Sequence, residues 1–158
     1  MNALLSDLSK VQNQMVEWRH EIHKHPETAF EEVNTSAYVA SLLESWGYEV
    51  ATGIGKTGII ASLKAGQGEK IIGLRADMDA LPVTEAVESD YKSQTPGKMH
   101  ACGHDGHTVM LLGAAQYLAD KKNFNGKVRL IFQPAEETIS GAKAMLADGL
   151  FERFPMDA

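Results

Sequence analysis

Three short segments of the chain concentrate side chains that can bind metal ions or transfer protons. They supply two aspartates, a cysteine with nearby histidines and a pair of glutamates, namely Asp77, Asp79, Cys102, His104, Asp105, His107, Glu136 and Glu137. Thiolate, imidazole and carboxylate groups are the ligands that zinc uses in proteins, and carboxylate-rich sites also suit manganese. The residue types therefore predict a divalent metal site, provided that the three segments meet in space.

The spacing within each segment favours a shared site. Cys102 and His104 are two residues apart, so both side chains point to the same side of an extended segment. The same holds for Asp77 and Asp79. The two glutamates are adjacent and would face opposite ways in a regular strand. At a strand end, however, one of them can bind metal while the other faces a bound water molecule.

Each segment also has an alternative interpretation. Aspartates are common in turns and caps, and paired glutamates often begin an exposed helix, where they interact favourably with the helix dipole. A second chemical alternative makes Cys102 a nucleophile paired with His104 or His107. That alternative leaves the carboxylates without a role, and it predicts inactivation by iodoacetamide that added metal does not prevent.

Two other motifs are better explained by structure than by ligand binding. Residues 53–57 (GIGKT) resemble the end of a phosphate-binding loop, but Val50 stands where the first glycine of that pattern is required. A tight turn between two strands explains these residues better. His20, His23 and His25 resemble a metal cluster, but a proline follows directly, so we expect them to have a surface or helix-end role.

The polar segments need a scaffold, and hydrophobic periodicity predicts a layered one. Apolar residues at steps of three and four predict a first helix that ends at His25-Pro26 and a second from about Phe30 to Trp46. Strands are predicted at 48–51, 57–63, 70–75 and 127–132, further helices at 106–119 and 140–148, and a long loop at 83–99. Helices that alternate with strands predict an α/β sheet, in which ligands bind beyond the carboxyl ends of the strands. Two of the polar segments lie at such ends.

Composition excludes several classes of function. The chain has 158 residues, of which 44% are hydrophobic and 23% charged, as is typical of one soluble globular domain. Its net charge of −6 and its lack of a basic patch argue against a nucleic-acid partner, and no apolar run is long enough to span a membrane. A single cysteine and the absence of a secretory signal pattern favour a reducing compartment, so we expect a cytoplasmic protein.

Four segments resemble one known family. The sequences WRHEIHKHPE, GLRADMDALPVTE, HACGHDGHT and FQPAEE are similar to those of metal-dependent amidohydrolases such as hippurate hydrolase, N-acyl-amino-acid amidohydrolase and indoleacetyl-amino-acid hydrolase. The resemblance extends from about Met15 to the last residue. Because these enzymes belong with aminoacylase and carboxypeptidase-G2-like metallopeptidases, it implies a layered α/β/α sheet of the zinc-exopeptidase type. It also implies hydrolysis of the amide bond in small N-acyl amino acids.

The resemblance implies a role for each candidate residue. Cys102, His104 and Glu137 are expected to bind metal, in a site that holds two Mn²⁺ or Zn²⁺ ions when complete. Glu136 is expected to act as the general base. Asp79 falls where related enzymes keep a catalytic aspartate, and we expect it to orient the site. Supporting positions behind the ligands are expected for three further residues, Asp77, Asp105 and His107.

The resemblance covers only part of the usual length of that family. Family members are more than twice as long, and they add two further metal-binding histidines and a smaller dimerisation domain. We therefore expect residues 1–158 to be the N-terminal part of a catalytic domain, C-terminally incomplete, from a protein that forms homodimers. On its own the chain is expected to be inactive. The alternative is a fragment that serves only as a metal-binding or interaction module.

Overall fold

The computed structural model describes residues 3–158, with side chains from residue 5 onward. Its helices and strands are, in chain order, α1 (Ala3–Lys24), α2 (Val33–Ser45), β1 (Glu49–Ile54), β2 (Gly58–Ala65), β3 (Ile71–Asp77), α3 (His104–Lys121), β4 (Gly126–Gln133), α4 (Gly141–Ala147) and α5 (Leu150–Arg153). The short α5 was not predicted, since four residues are too few to show a hydrophobic period. α2 begins later than predicted because Phe30 has a φ of 64°, which a helix does not allow.

The strands form one mixed sheet in the order β1-β2-β4-β3. β1 and β2 are antiparallel and joined by residues 55–57, so the GIGKT motif forms a hairpin turn as predicted. β2 is also antiparallel to β4, whereas β3 and β4 are parallel, with Asp77 opposite Gln133 at their ends. The carboxyl ends of β3 and β4 therefore lie side by side, which is where a ligand site is expected in such a sheet.

Helices cover both faces of the sheet. α1, α2 and α3 lie on one face, where the larger core contains Leu43, Leu112 and Phe132. α4 and α5 lie on the other face, where Met145 packs against Ile60 in a smaller core. This is the layered α/β/α architecture that the family resemblance implies. Within residues 3–158, no helix combines the length and the hydrophobicity needed to cross a membrane.

Residues 78–103 form a long connection between β3 and α3 that contains neither a helix nor a strand. Single bridges fix its course: Leu81 pairs with Met99, and Ala80 pairs with Thr28 in the connection between α1 and α2. The predicted loop at 83–99 is therefore confirmed. Because the connection ends at Gly103, it places Cys102 next to the first turn of α3.

Candidate metal centre

Two strand ends and the start of one helix bring the three polar segments together. Asp77 is the last residue of β3, the pair Glu136-Glu137 follows β4, and His104 is the first residue of α3. One ligand atom from each of Cys102, His104 and Glu137 lies within 4.8 Å of the other two. The three residues expected to bind metal are therefore close enough to share an ion.

His104 is oriented by Asp79. The residue is 2% exposed, and its Nδ1 lies 2.9 Å from the carbonyl oxygen of Asp79 and 3.2 Å from Asp79 Oδ1. When Nδ1 donates its proton to these oxygens, the lone pair of Nε2 is left for a metal ion. Nε2 lies 3.8 Å from a carboxylate oxygen of Glu136 and 3.8 Å from one of Glu137. The hydrogen bond with Asp79 raises the pKa of His104 to about 8.

Asp79 also ties two of the polar segments together. Its Oδ2 accepts a hydrogen bond of 3.0 Å from the backbone N–H of Glu137, while Oδ1 faces His104. Burial would raise the pKa of this carboxyl group, but the hydrogen bonds from His104 and from the amides of Glu137 and Glu136 hold the pKa below its usual value. Asp79 is 1% exposed. It lies behind the ligand atoms, where an orienting residue belongs.

The donor set fits a divalent cation. Oε1 of Glu137 is buried and has no hydrogen-bond partner among the residues that the structure describes. The thiol of Cys102 lies beside this carboxylate, and its hydrogen bond to Glu137 raises the pKa of Cys102. A sulfur, an imidazole nitrogen and an unpaired carboxylate oxygen thus converge, and these are the donor types of zinc sites. A nucleophilic Cys102 would leave these carboxylates without a role.

Glu136 lies on the open side of the centre. Its side chain is 42% exposed, against 21% for Glu137. The two neighbours can diverge because β4 has ended at Gln133 and the chain turns at Ala135, where φ is 49°. One glutamate is therefore placed to bind an ion while the other can reach a water molecule.

Asp77 and His107 form a second group of donors beside the first. Nδ1 of His107 lies 2.7 Å from Oδ1 of Asp77, and Nε2 of His104 lies 3.8 Å from the same oxygen. Ligand atoms of these three residues also lie within 4.8 Å of one another. Arg75 contacts the other oxygen of Asp77 at 2.9 Å, which partly neutralises its charge. Both residues therefore lie next to the centre, and His104 is common to the two groups.

Asp105, in contrast, faces away from the centre although it directly follows His104. Its buried carboxylate contacts α1, where Oδ2 lies 2.7 Å from Nδ1 of His23 and accepts a hydrogen bond of 2.8 Å from Nε of Arg19. Asp105 can therefore support the ligands only indirectly, by fixing the start of α3 against α1.

His23 has the expected helix-end position but does not lie on the surface. It lies in the last turn of α1 but is only 3% exposed, and its Nε2 lies 3.3 Å from Glu85 in the long loop. His25 is exposed as expected, and His20 stacks on the ring of Tyr91 with the centroids 4.0 Å apart. Sequence reasoning missed the buried network because the partners of His23 are 62 and 82 residues away, and no local pattern marks them.

Comparison with known sequences adds to this geometry. The family model described as "Peptidase family M20/M25/M40" matches residues 73–158. The chain is 53% identical over 154 residues to hippurate hydrolase from Campylobacter jejuni. The aligned region covers 98% of this chain and 40% of that relative. It is 49% identical over 136 residues to IAA-amino acid hydrolase ILR1-like 2 from Arabidopsis thaliana, and this alignment covers 85% of the chain and 31% of that relative. The chain thus spans about two fifths or less of the length of these relatives.

Solved structures share the fold. The YXEP protein of Bacillus subtilis, described as a dinuclear metal binding peptidase from the M20 family, has a TM-score of 0.86 at 38% identity, over 91% of this chain and 41% of that one. An aminobenzoyl-glutamate utilization protein from Klebsiella pneumoniae has a TM-score of 0.75 at 27% identity, over 93% of this chain and 43% of that one. The sequence motifs, the layered sheet and the match to the family model therefore agree. The chain belongs to peptidase family M20/M25/M40.

Proposed function

We propose that the chain carries the metal ligands and the general base of an amidohydrolase that cleaves the amide bond of N-acyl amino acids such as hippurate. The proposal depends on one observation, the convergence of Cys102, His104 and Glu137 with the more open Glu136 beside them. The names of two relatives, hippurate hydrolase and IAA-amino acid hydrolase, support this substrate class.

In this proposal Cys102, His104 and Glu137 would hold part of a centre for two Mn²⁺ or Zn²⁺ ions. Bound ions of this kind lower the pKa of a water molecule and stabilise negative charge on the carbonyl oxygen of an amide. A carboxylate oxygen of Glu136 lies 3.8 Å from Nε2 of His104, and Glu136 would accept a proton from the attacking water as the water oxygen bonds to the carbonyl carbon. It would donate this proton to the amide nitrogen as the C–N bond breaks, which releases the amine and the carboxylic acid. Asp79 keeps His104 in the tautomer whose Nε2 is free to bind.

We further infer that the chain is the N-terminal part of the catalytic domain of a longer, dimeric hydrolase. The match to only 40% of hippurate hydrolase supports this inference. In that case the remaining ligands and the surface that selects the acyl group lie in the remainder of the protein. The coverage of only 40% of that relative also supports a second candidate, a metal-binding or interaction module without catalysis. The two candidates differ in whether the assembled site turns over substrate.

A fusion experiment tests the proposal. The chain replaces the matching segment of the Campylobacter hippurate hydrolase, and release of glycine from hippurate is measured with added Mn²⁺ or Zn²⁺. The matched control is the same fusion with Glu136→Gln, which keeps the size of the side chain and removes the base. We expect metal-dependent glycine release from the first fusion, a loss of roughly 100-fold or more in the second, and equal metal content in both.

Each result has a distinct meaning. Equal rates of hydrolysis in the two fusions would show that Glu136 is not the base. Fusions that hold metal but release no glycine would refute the amidohydrolase function and favour the metal-binding module. The isolated chain should bind metal without turnover in either case.

A further inference from the structure

Glu32 is a fully buried acidic residue outside the metal centre. It directly precedes α2, and its exposure is 0%. One carboxylate oxygen accepts a hydrogen bond of 2.5 Å from Oγ1 of Thr57, and the other accepts one of 2.8 Å from the backbone N–H of Ala135. Burial raises the pKa of Glu32 above its usual value, and these hydrogen bonds oppose that rise. Burial of a carboxylate is unfavourable without such partners, so these donors account for its stability in the core.

The two donors to Glu32 lie in or next to turns with left-handed backbone, and Glu32 itself follows a third such turn. Phe30 has a φ of 64°, Lys56 next to Thr57 has a φ of 85°, and Ala135 has a φ of 49°. Residues other than glycine seldom adopt such values, and they keep them only where the surrounding contacts fix the backbone. The side chain of Glu32 therefore links the turn that carries it to the turns at Lys56 and Ala135.

The turn at Ala135 concerns the metal centre because it directly precedes the glutamate pair. Glu32 accepts the N–H of Ala135, and on the other side the carbonyl oxygen of Ala135 accepts a hydrogen bond of 3.0 Å from Gly141. Gly141 has no room for a side chain, since a Cβ there would lie 1.5 Å from the carbonyl oxygen of Pro134. Ala135 is therefore held on both sides, and the direction in which the chain enters the glutamate pair is fixed.

We propose that Glu32 is a positioning residue, whose buried carboxylate sets the turn at Ala135 and thereby directs Glu137 toward Cys102 and His104. The inference rests on the proposed metal centre and assigns a task to a residue 103 positions away from Ala135 in the chain. The hydrogen bonds of Glu32 go to the turns and not to the ligands, so its effect reaches the centre through the backbone. Glutamine in its place keeps a single, uncharged oxygen for these two donors, so the hydrogen bonds that hold the turn become fewer or weaker.

Titration of the metal-free chain with Co²⁺ tests the proposal. A cysteine thiolate bound to Co²⁺ gives a charge-transfer band, and the visible bands report the number and geometry of the ligands. We expect Glu32→Gln to raise the Kd for Co²⁺ by roughly tenfold or more and to change the visible bands. The matched control is Glu27→Gln, because Glu27 also accepts several hydrogen bonds at the start of α2, from Asn34 and Thr35. This control should keep the wild-type Kd and spectrum.

A second pair of variants separates positioning from general destabilisation. In a chain with Glu137→Gln, the ligand that Glu32 directs is already lost, so adding Glu32→Gln should raise the Kd no further. A rise as large as in the wild-type background would overturn the proposal, as would an unchanged Kd and spectrum in the single variant. If Glu32→Gln does not melt cooperatively, Thr57→Val replaces it in the same cycle. That variant removes one donor to Glu32, and we expect a smaller rise with the same dependence on Glu137.

Failure of the proposed function would look different. A wild-type chain that binds Co²⁺ without the thiolate band, or not at all, would refute the metal centre itself. Normal wild-type binding together with an additive effect of Glu32→Gln would refute only the positioning role.

Discussion

The buried imidazole of His100 should make the stability of the metal-free chain depend on pH. His100 is 4% exposed, and neither ring nitrogen has a hydrogen-bond partner among the described residues. Burial away from water lowers the pKa of His100 from 6.5 to about 4. In the unfolded chain the ring is hydrated and its pKa is about 6.5. At mildly acidic pH the unfolded chain therefore takes up a proton that the folded chain does not.

The contribution of His100 to the free energy of unfolding should consequently fall as the pH is lowered. Because the pKa is depressed in the folded chain, the contribution of the neutral ring is present above about pH 6.5 and is lost as the pH falls toward about 4. A lowering of the pKa from 6.5 to about 4 corresponds to about 3 kcal/mol in total. Of this, about 2 kcal/mol should be lost between pH 7 and pH 5.

Urea unfolding at pH 7, 6 and 5 measures this loss, with His100→Leu as the control variant. Leucine has a similar volume and takes up no proton, so the variant should lose about 2 kcal/mol less than the wild type over this range. Carboxyl groups with a lowered pKa, such as Asp79, Asp105 and Glu85, also stabilise the folded chain. Their contribution is lost only as the pH falls below their unfolded pKa values of about 4. A parallel loss of stability in the two proteins would refute the reasoning.

Two further substitutions test how the ligands are held. Asp79→Asn keeps the shape of the side chain but presents an N–H₂ group to His104 or to the amide of Glu137, so the affinity for Zn²⁺ in a calorimetric titration should fall roughly 10- to 100-fold. Unchanged affinity would argue against an orienting role. Asp105→Asn removes the buried charge that faces His23, and the free energy of unfolding in urea should fall by about 3 kcal/mol. A loss under about 1 kcal/mol would mean that this network does not fix the start of α3.

The sequence predicts those parts of the site that depend on local patterns. The run KVRLIF at 127–132 is bounded by Asn125-Gly126 and Pro134, and the structure has β4 at Gly126–Gln133. This pattern places the glutamate pair at a strand end, and the run before Asp77 places the first aspartate at the end of β3. Because parallel strands end at the same edge of a sheet, the meeting of these segments follows from the strands alone.

Contacts between distant parts of the chain could not be predicted in this way. Glu31 and Glu32 form an acidic pair that is typical of an exposed helix start, yet Glu31 is exposed and Glu32 is buried. The difference depends on Thr57 and Ala135, which reach Glu32 only when the sheet has formed. His23 is a similar case, since its surroundings along α1 do not reveal a partner in another element.

Metal content tests the central claim most directly. The wild-type chain, His104→Ala and the control His25→Gln, which changes an exposed histidine away from the centre, are dialysed against dilute Zn²⁺ or Mn²⁺. Metal per chain is then measured by elemental analysis. We predict that the wild type and His25→Gln retain about one ion or more per chain and that His104→Ala retains none. Equal metal content in all three proteins, or none in the wild type, would contradict the claim that Cys102, His104 and Glu137 bind a metal ion.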